Sequence, residues 1–321
     1  MVDKNTHNRS QSDEPSQVRK HYYLNQYVVI APRRNKRPRP KSEEVLSQKT
    51  ELQPQIESNP SLYEVPNEEG GWRIKVVAND YPALSPGSTR AKGAQEVVLE
   101  TPAINTPFHQ LSIEQIQAVL ETYQHRTHLL RQRYGYVSIF KNHGPQAGAT
   151  LAHTHSQIIA SEFIPPEVRR EREVLTEYQL KHDTSALCDV IRWELEQDQR
   201  AVAHTRFTTT ITPYASQYPL EIWIIPNRQS HSIVNLSTEE LRSLADHLKG
   251  VATALGGNGV DYNYHLQEGI ADEYNHFFIK VIPRLSILGG YELNTGTHIN
   301  TISPEYACKW YQKHIKTPDV G

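Results

Sequence analysis

Ser112-Ile113-Glu114-Gln115, met again as Ser237-Thr238-Glu239-Glu240 at a spacing of 125 residues, opens an apolar-periodic segment on each occasion. Serine with Gln or Glu three positions on is the pattern of a capping box, in which two orphan N–H groups at a helix start are satisfied reciprocally. Behind the first box Ile113, Ile116, Leu120, Tyr123 and Leu130 recur at helical spacing, and behind the second Leu241, Leu244, Leu248, Val251 and Leu255 do so. Each stripe reads as a core-facing helix. At the same spacing Glu96 meets Glu221, Leu111 meets Leu236, Glu114 meets Glu239 and Gly144 meets Gly269. The strand 96–99 overlays 221–224, and 136–140 overlays 261–265. Both copies read strand, loop, helix, strand, loop, strand, which predicts an internally duplicated α+β chain.

The first copy contains Gly148-Ala149-Thr150-Leu151-Ala152-His153-Thr154-His155-Ser156-Gln157. Read as a strand over 151–160, this run points His153, His155 and Gln157 to one face, because strand side chains alternate with period two. At the 125-residue spacing His153 falls on Phe278 and His155 on Lys280. The fold then does not demand the histidine pair, and chemistry explains it better. A neutral imidazole, with an ordinary pKa of about 6.5, can attack an electrophile at neutral pH. At phosphorus it makes a phosphoramidate that a second acceptor breaks. His155 is the candidate nucleophile, His153 an orienting group and Gln157 a neutral amide donor to a phosphate oxygen. In the preceding run, 141–150, Gly144 and Gly148 permit close approach of backbone N–H groups to an anion.

Composition narrows the setting. The chain of 321 residues has room for one large or two medium domains. Its 34 Lys+Arg nearly balance 36 Asp+Glu, which argues against general nucleic-acid binding. Two cysteines, Cys188 and Cys308, cannot build a disulfide framework. There is no run of about 18 apolar residues, so no membrane span is expected, and low cysteine use with no apolar leader predicts a cytoplasmic protein. Residues 1–20 read as a disordered tail and 42–70 as a long loop, with short strands at 73–77 and 96–99. The expected division is 21–195 for an N-terminal catalytic repeat and 196–321 for a second repeat. Arg33 to Lys41 is a basic cluster, either a solvated face or a clamp for phosphates. Asn79-Asp80-Tyr81-Pro82 is a turn that also suits a base or ribose contact, and Gly290-Tyr291-Glu292 offers a carboxylate to sugar hydroxyls.

These residues resemble a known family. Gly148 to Gln157, preceded by Lys141-Asn142-His143-Gly144, is similar to the signature of the galactose-1-phosphate uridylyltransferases, a branch of the histidine-triad superfamily in which glutamine replaces the third histidine. Val29 to Pro38, Asn79 to Leu84, Pro213 to Glu221 and Pro283-Arg284-Leu285 with Gly290-Tyr291-Glu292 extend the resemblance over roughly residues 20–310. It implies two histidine-triad-like repeats, each an antiparallel sheet with a packed helix. It also implies that His155 attacks the α-phosphorus of UDP-glucose, and that the uridylyl-histidine passes UMP to a second hexose 1-phosphate. Gln157, Thr150 and Asn142 would bind phosphate oxygens beside Gly148, Arg34 and Arg37 the diphosphate, Asn79 and Asp80 uridine and ribose, and Tyr291 and Glu292 the hexose. A sibling chemistry, an ADP-sugar or dinucleoside-polyphosphate phosphorylase, uses the same histidine plan; a nucleotide-binding non-enzyme fits the retained histidines less well. Partners on this reading are a UDP-sugar, a hexose 1-phosphate and a second copy in a homodimer.

Many members hold a structural zinc through a Cys-x-x-Cys near the present residues 40–60, a histidine after a Thr-Pro pair and the first histidine of the triad. Here 40–60 contains no cysteine, Ile104 follows Thr101-Pro102 at the matching position, and His153 alone remains. A second metal, held in some members by a His-x-His of the second repeat, is not expected where Phe278 and Lys280 stand. No cofactor and no metal site are expected.

Overall fold

The computed structural model describes residues 14–36, 56, 58–151, 153–269 and 275–315. In chain order the strands are β1 (Gln17–Lys20), β2 (Tyr27–Ile30), β3 (Ser61–Pro66), β4 (Trp72–Ala78), β5 (Gly93–Leu99), β6 (Tyr136–His143), β7 (His155–Ser161), β8 (Ala201–His204), β9 (Thr208–Ile211), β10 (Ile222–Pro226), β11 (Tyr262–Gln267), β12 (Phe278–Pro283) and β13 (His298–Asn300). The helices are α1 (Ile113–Arg131), α2 (Pro166–His182), α3 (Ala186–Gln197), α4 (Thr238–Gly256), α5 (Gly290–Thr295) and α6 (Pro304–His314).

The duplication is written into the sheet. Its strand order is β3-β4-β5-β7-β6-β11-β12-β10-β9-β8, every neighbouring pair antiparallel. In each half a three-strand meander leads to a helix, then to two more strands, the second inserted between the first and the meander. The two expected sheets are therefore halves of one sheet, joined where Asn142 of β6 pairs with Asn263 of β11. The α+β expectation with antiparallel pairing holds.

Helices α1 and α4 cover one face, burying Ile116, Leu120, Tyr123, Leu241, Leu244 and Leu248 against Val98, Ile139, Ile158, Tyr264 and Ile279. Each such side chain contributes about 1.5–3 kcal/mol when fully buried. Ser237 caps α4 in a complete box, its hydroxyl accepting from Glu240 N while Glu240 accepts from Ser237 N. The first box is half formed. Ser112 accepts from Gln115 N, but the Gln115 amide bonds the Arg73 side chain and the carbonyls of Arg73 and Glu100. Tying the helix to β4 and β5 satisfies more groups than closing the box.

On the other face the halves differ. In the second half Leu187, Val190 and Ile191 of α3 pack on Ile211, Trp223, Ile225 and Phe278, joined by Tyr22 and Tyr23. The expected boundary after residue 195 thus falls inside α3, a helix that packs on the second repeat. In the first half a small cluster, Ile56, Val77, Val97 and Leu99, occupies this face at one side, and His155 and Gln157 lie next to it on β7.

Three further sequence expectations are corrected. Residues 1–13 lie outside the described residues, but Gln17–Lys20 form β1 paired with β2 instead of continuing a disordered tail, because Arg19 is buried on Glu305 at 2.9 Å. Ser61–Pro66 are strand, not loop, pairing with β4. The strand that carries the histidines begins at His155, not at residue 151. The first two strands belong to a separate three-stranded sheet, β1-β2-β13, in which β2 and β13 run parallel and Val28 and Ile30 pack on Tyr214 and Ala215 of the second half.

Candidate active site

The pairing registers revise what the sister strand carries. Phe140 lies opposite Gln157 in the first half, and His265 lies opposite Lys280 in the second. With Phe140 matched to His265 at the 125-residue spacing of the helix caps, Gln157 matches Lys280, His155 matches Phe278 and His153 matches His276. The connection from β6 to β7 is two residues longer than its counterpart, so a constant spacing misplaces this strand. Hydrogen bonds agree. His153 Nε2 meets the Thr101 carbonyl at 2.5 Å just beyond β5, and His276 Nε2 meets the Pro226 carbonyl at 2.8 Å at the end of β10. The first histidine is a structural element of both repeats, and the one without a counterpart is His155.

His155 is buried, with 4% of its surface exposed. Its Nδ1 lies 2.8 Å from the His153 carbonyl. A carbonyl only accepts, so Nδ1 carries the proton and Nε2 keeps its lone pair. Burial and the nearby Lys141 charge hold the imidazole below its ordinary pKa, which keeps it neutral. His153 thus acts on His155 through its backbone; its ring is turned to Thr101 and lies 6.3 Å from Trp72. The expectation of three side chains on one strand face holds for His155 and Gln157 only, since His153 sits in the bend before β7.

Gln157 is held by a residue that the sequence did not single out. Gln95 Nε2 donates to Gln157 Oε1 at 3.0 Å, which leaves the Gln157 NH2 group as a donor. Gln95 Oε1 accepts from Ala83 N, and its carbonyl accepts from Asn79 N. Gln95 therefore links the Asn79–Ala83 turn to β7. In that turn Asn79 Oδ1 accepts from Tyr81 N at 2.8 Å, and Asp80 accepts from Asn59 Nδ2 at 2.6 Å.

The glycine loop works differently from expectation. Its backbone N–H groups do not form an anion cradle at 146–149. Gln146 N donates to Asp261, Ala147 N and Ala149 N to the Gly144 carbonyl, and Gly148 N to the Pro145 carbonyl. The loop is a self-satisfied turn that carries side chains. Asn263 donates to Asn142 Oδ1 at 2.8 Å and to the Ala147 carbonyl at 2.8 Å. The Asn142 amide nitrogen consequently faces Gly148, where a Cβ would stand 3.9 Å from it. Thr150 is exposed at the end of the loop. Asp261 and Asn263, both on the second repeat, therefore shape the first repeat's site.

Gly144 is disfavoured for substitution on two grounds. Its φ of 85° and ψ of 161° are open essentially to glycine alone, and an added Cβ would fall 2.0 Å from Asp261 Oδ1. The Gly144→Ala variant is expected to lose about 2–3 kcal/mol, while Gly148→Ala, left-handed but uncrowded, loses about 1–2 kcal/mol. Urea unfolding of both variants checks the order, and equal stability of Gly144→Ala and wild type would contradict it.

The remaining expected residues lie on segments next to the small sheet. Arg34 is exposed in the turn after β2. Tyr291 and Glu292 lie in α5, with Tyr291 52% exposed and Glu292 accepting from Gly289 N at 3.0 Å as a helix cap. Arg37 lies outside the described residues. Among the described residues no cluster of three or more His, Cys, Asp or Glu side chains has metal-binding geometry. At the one ligand position that the sequence retains, His153 Nε2 meets the Thr101 carbonyl. Among the described residues no helix is long and apolar enough to cross a membrane.

The sequence also missed a buried polar group under the site, Lys141 with Glu100. Lys141 stands at an inward position of β6, and Glu100 directly follows the apolar end of β5, a signal that a face-by-face reading detects.

Comparison with known proteins places the chain. A sequence-family model described as galactose-1-phosphate uridyl transferase, N-terminal domain, matches residues 6–165. A second, described as a domain of unknown function (DUF4921), matches residues 107–316. An ADP-glucose phosphorylase of Arabidopsis thaliana is 29% identical over 332 residues, covering 94% of this chain and 93% of its own. A galactose-1-phosphate uridylyltransferase of Haemophilus influenzae is 30% identical over 247 residues, covering 72% and 71%. The crystal structure of an ADP-glucose phosphorylase from Arabidopsis thaliana with bound ADP-glucose superposes with a TM-score of 0.81 at 27% identity, covering 93% of this chain and 99% of that one.

Proposed function

The chain belongs to the galactose-1-phosphate uridylyltransferase family, and from that premise we propose that it transfers a nucleotidyl group through a covalent bond to His155 Nε2, with an ADP-sugar as donor and inorganic phosphate as acceptor. The observation that carries this reading is the His155 geometry, a buried neutral imidazole with Nδ1–H fixed on the His153 carbonyl and Nε2 presented as a base. Nε2 attacks the α-phosphorus, an N–P bond forms, and the bond to the bridging oxygen breaks to release sugar 1-phosphate. A phosphate oxygen then attacks the same phosphorus, breaks the N–P bond and yields ADP. Phosphate leaving groups depart as anions, since their second pKa is near about 6. No general acid is needed at Gln157, and a neutral amide donor suffices there. The ring gains positive charge as the N–P bond forms, so the Nδ1–H bond to the His153 carbonyl strengthens on the way to the transition state.

Likeness to the ADP-glucose phosphorylase along nearly the whole chain supports the ADP-sugar donor. A second reading, UMP passed from UDP-glucose to a hexose 1-phosphate, is favoured by the family model over residues 6–165. Two exchange assays separate them. ADP-glucose with phosphate is expected to release glucose 1-phosphate, and UDP-glucose with galactose 1-phosphate to turn over at least about tenfold more slowly. Turnover of the second pair alone would establish the second reading.

The same proposal takes the protein to be metal-independent and a homodimer. Purified protein is expected to carry no stoichiometric zinc by elemental analysis, and one tightly bound zinc per chain would overturn that. Val18 and Tyr27 of the small sheet and Leu293 of α5 are exposed apolar side chains, which suits burial against a second copy. Light scattering is expected to give the mass of two chains.

A further inference from the structure

We propose that Lys141 is a positioning residue for the nucleophile, its ammonium replacing the backbone ladder at the point where β6 and β7 separate. The proposal rests on the reading of His155 as the nucleophile.

β6 and β7 pair from Tyr136–Ser161 to Phe140–Gln157. Two residues on, the ladder would place Asn142 opposite His155. Their pairing ends there, and Asn142 is held on its other side by Asn263 of β11. His155 keeps its β5 partner, Leu99. Its carbonyl accepts instead from Lys141 Nζ at 2.7 Å. The separation makes room for the loop 144–154, and without the lysine it would leave a buried carbonyl unsatisfied on that side.

The ammonium is fully used. Its three protons meet three acceptors: the His155 carbonyl, Thr154 Oγ1 at 3.1 Å and Glu100 Oε2 at 2.5 Å. Thr154 Oγ1 donates in turn to Glu100 Oε2 at 3.2 Å, and Tyr123 OH donates to Glu100 Oε1 at 3.2 Å. Lys141 and Glu100 are 1% and 0% exposed. A buried ion pair is weak evidence for stability, since apolar groups of equal volume often serve as well. This one holds the segment His153-Thr154-His155, which contains both the nucleophile and the carbonyl that orients its ring. A shift of that segment turns Nε2 away from phosphorus, and displacements of about 1 Å cost about 100-fold in rate.

The test is Lys141→Met/Glu100→Gln, which exchanges the pair for neutral groups of similar size. In single turnovers with ADP-glucose, the rate of nucleotidyl-histidine formation is expected to fall about 100-fold, while the half-saturating concentration moves less than about threefold. Side-chain 15N NMR is expected to show His155 as a single Nδ1–H tautomer in the wild type and as a mixture in the variant. Lys141→Arg, which keeps the charge and several donors, is expected to stay within about tenfold of wild type. If the double variant does not fold, Thr154→Val, which removes one of the three acceptors, is expected to lower the same rate about three- to tenfold. Wild-type rate and a single tautomer in the variant would overturn the proposal. Absence of label on wild-type protein with both ADP-glucose and UDP-glucose would overturn the nucleophile reading, and the tautomer measurement alone would then decide the role of Lys141.

Discussion

His155→Ala is expected to lower nucleotidyl transfer by about 10⁴-fold or more, some 5.5 kcal/mol of transition-state stabilisation, with the fold intact. The variant deletes the nucleophile and leaves the binding groups, so no covalent intermediate forms. Wild-type protein incubated with labelled ADP-glucose is expected to retain acid-labile, base-stable label on one histidine, and the variant none. The pH dependence follows from the direction of the His155 shift. Burial and Lys141 favour the neutral ring, so the reactive form persists below the ordinary histidine pKa of about 6.5. The labelling rate is expected to stay flat as pH falls through that value and to drop only in more acidic solution. A rate that halves near the ordinary value would contradict the burial argument. Label retained by His155→Ala would sink the assignment of the nucleophile.

The largest effect on stability is expected at Arg200. Its guanidinium, 3% exposed, lies 2.9 Å from Glu194 and 2.8 Å from Glu305, and sits over Trp193 and Tyr214. Glu194 also accepts from Tyr22, and Glu305 from Arg19. One arginine thus links α3 and α6, and through their carboxylates β1 and its connection to β2. Arg200→Met leaves Glu194 as a buried carboxylate without its cation, which costs about 3–5 kcal/mol. Arg200→Met/Glu194→Leu is expected to recover most of the loss, because the uncompensated charge is then gone. Urea unfolding decides the matter; a loss under about 1 kcal/mol for the single variant would show the pair to be dispensable.

Much of this architecture is legible in local sequence. The caps Ser112 and Ser237 act within one turn, and the apolar stripes behind them act through helical periodicity, so both helices could be placed from neighbours alone. The candidate nucleophile was equally legible, because His155 has an unusual residue type for its strand position. Less legible were the partners. Gln95 reaches Gln157, Asn263 reaches Asn142 and Arg19 reaches Glu305 across spans of 62, 121 and 286 residues. No periodicity reports such contacts. The loop amides at 146–149 looked like an anion cradle because two glycines permit one; only the Asp261 carboxylate and the turn's own carbonyls show where those N–H groups go.

The sequence by itself determined the duplication, the helix positions and the α+β character, and it singled out His155 as the candidate nucleophile, since each depends on residue type and short-range spacing. Tertiary structure alone decided which histidine is structural. The two-residue difference between the β6–β7 and β11–β12 connections moves His153 onto His276, and a register is set by the hydrogen-bond ladder and buried packing, which a fixed offset along the chain cannot express. It also decided that one sheet spans both repeats and that a buried lysine stands where the ladder opens under His155. These follow from pairing between distant strands, where the cost of an unsatisfied buried carbonyl selects the partner.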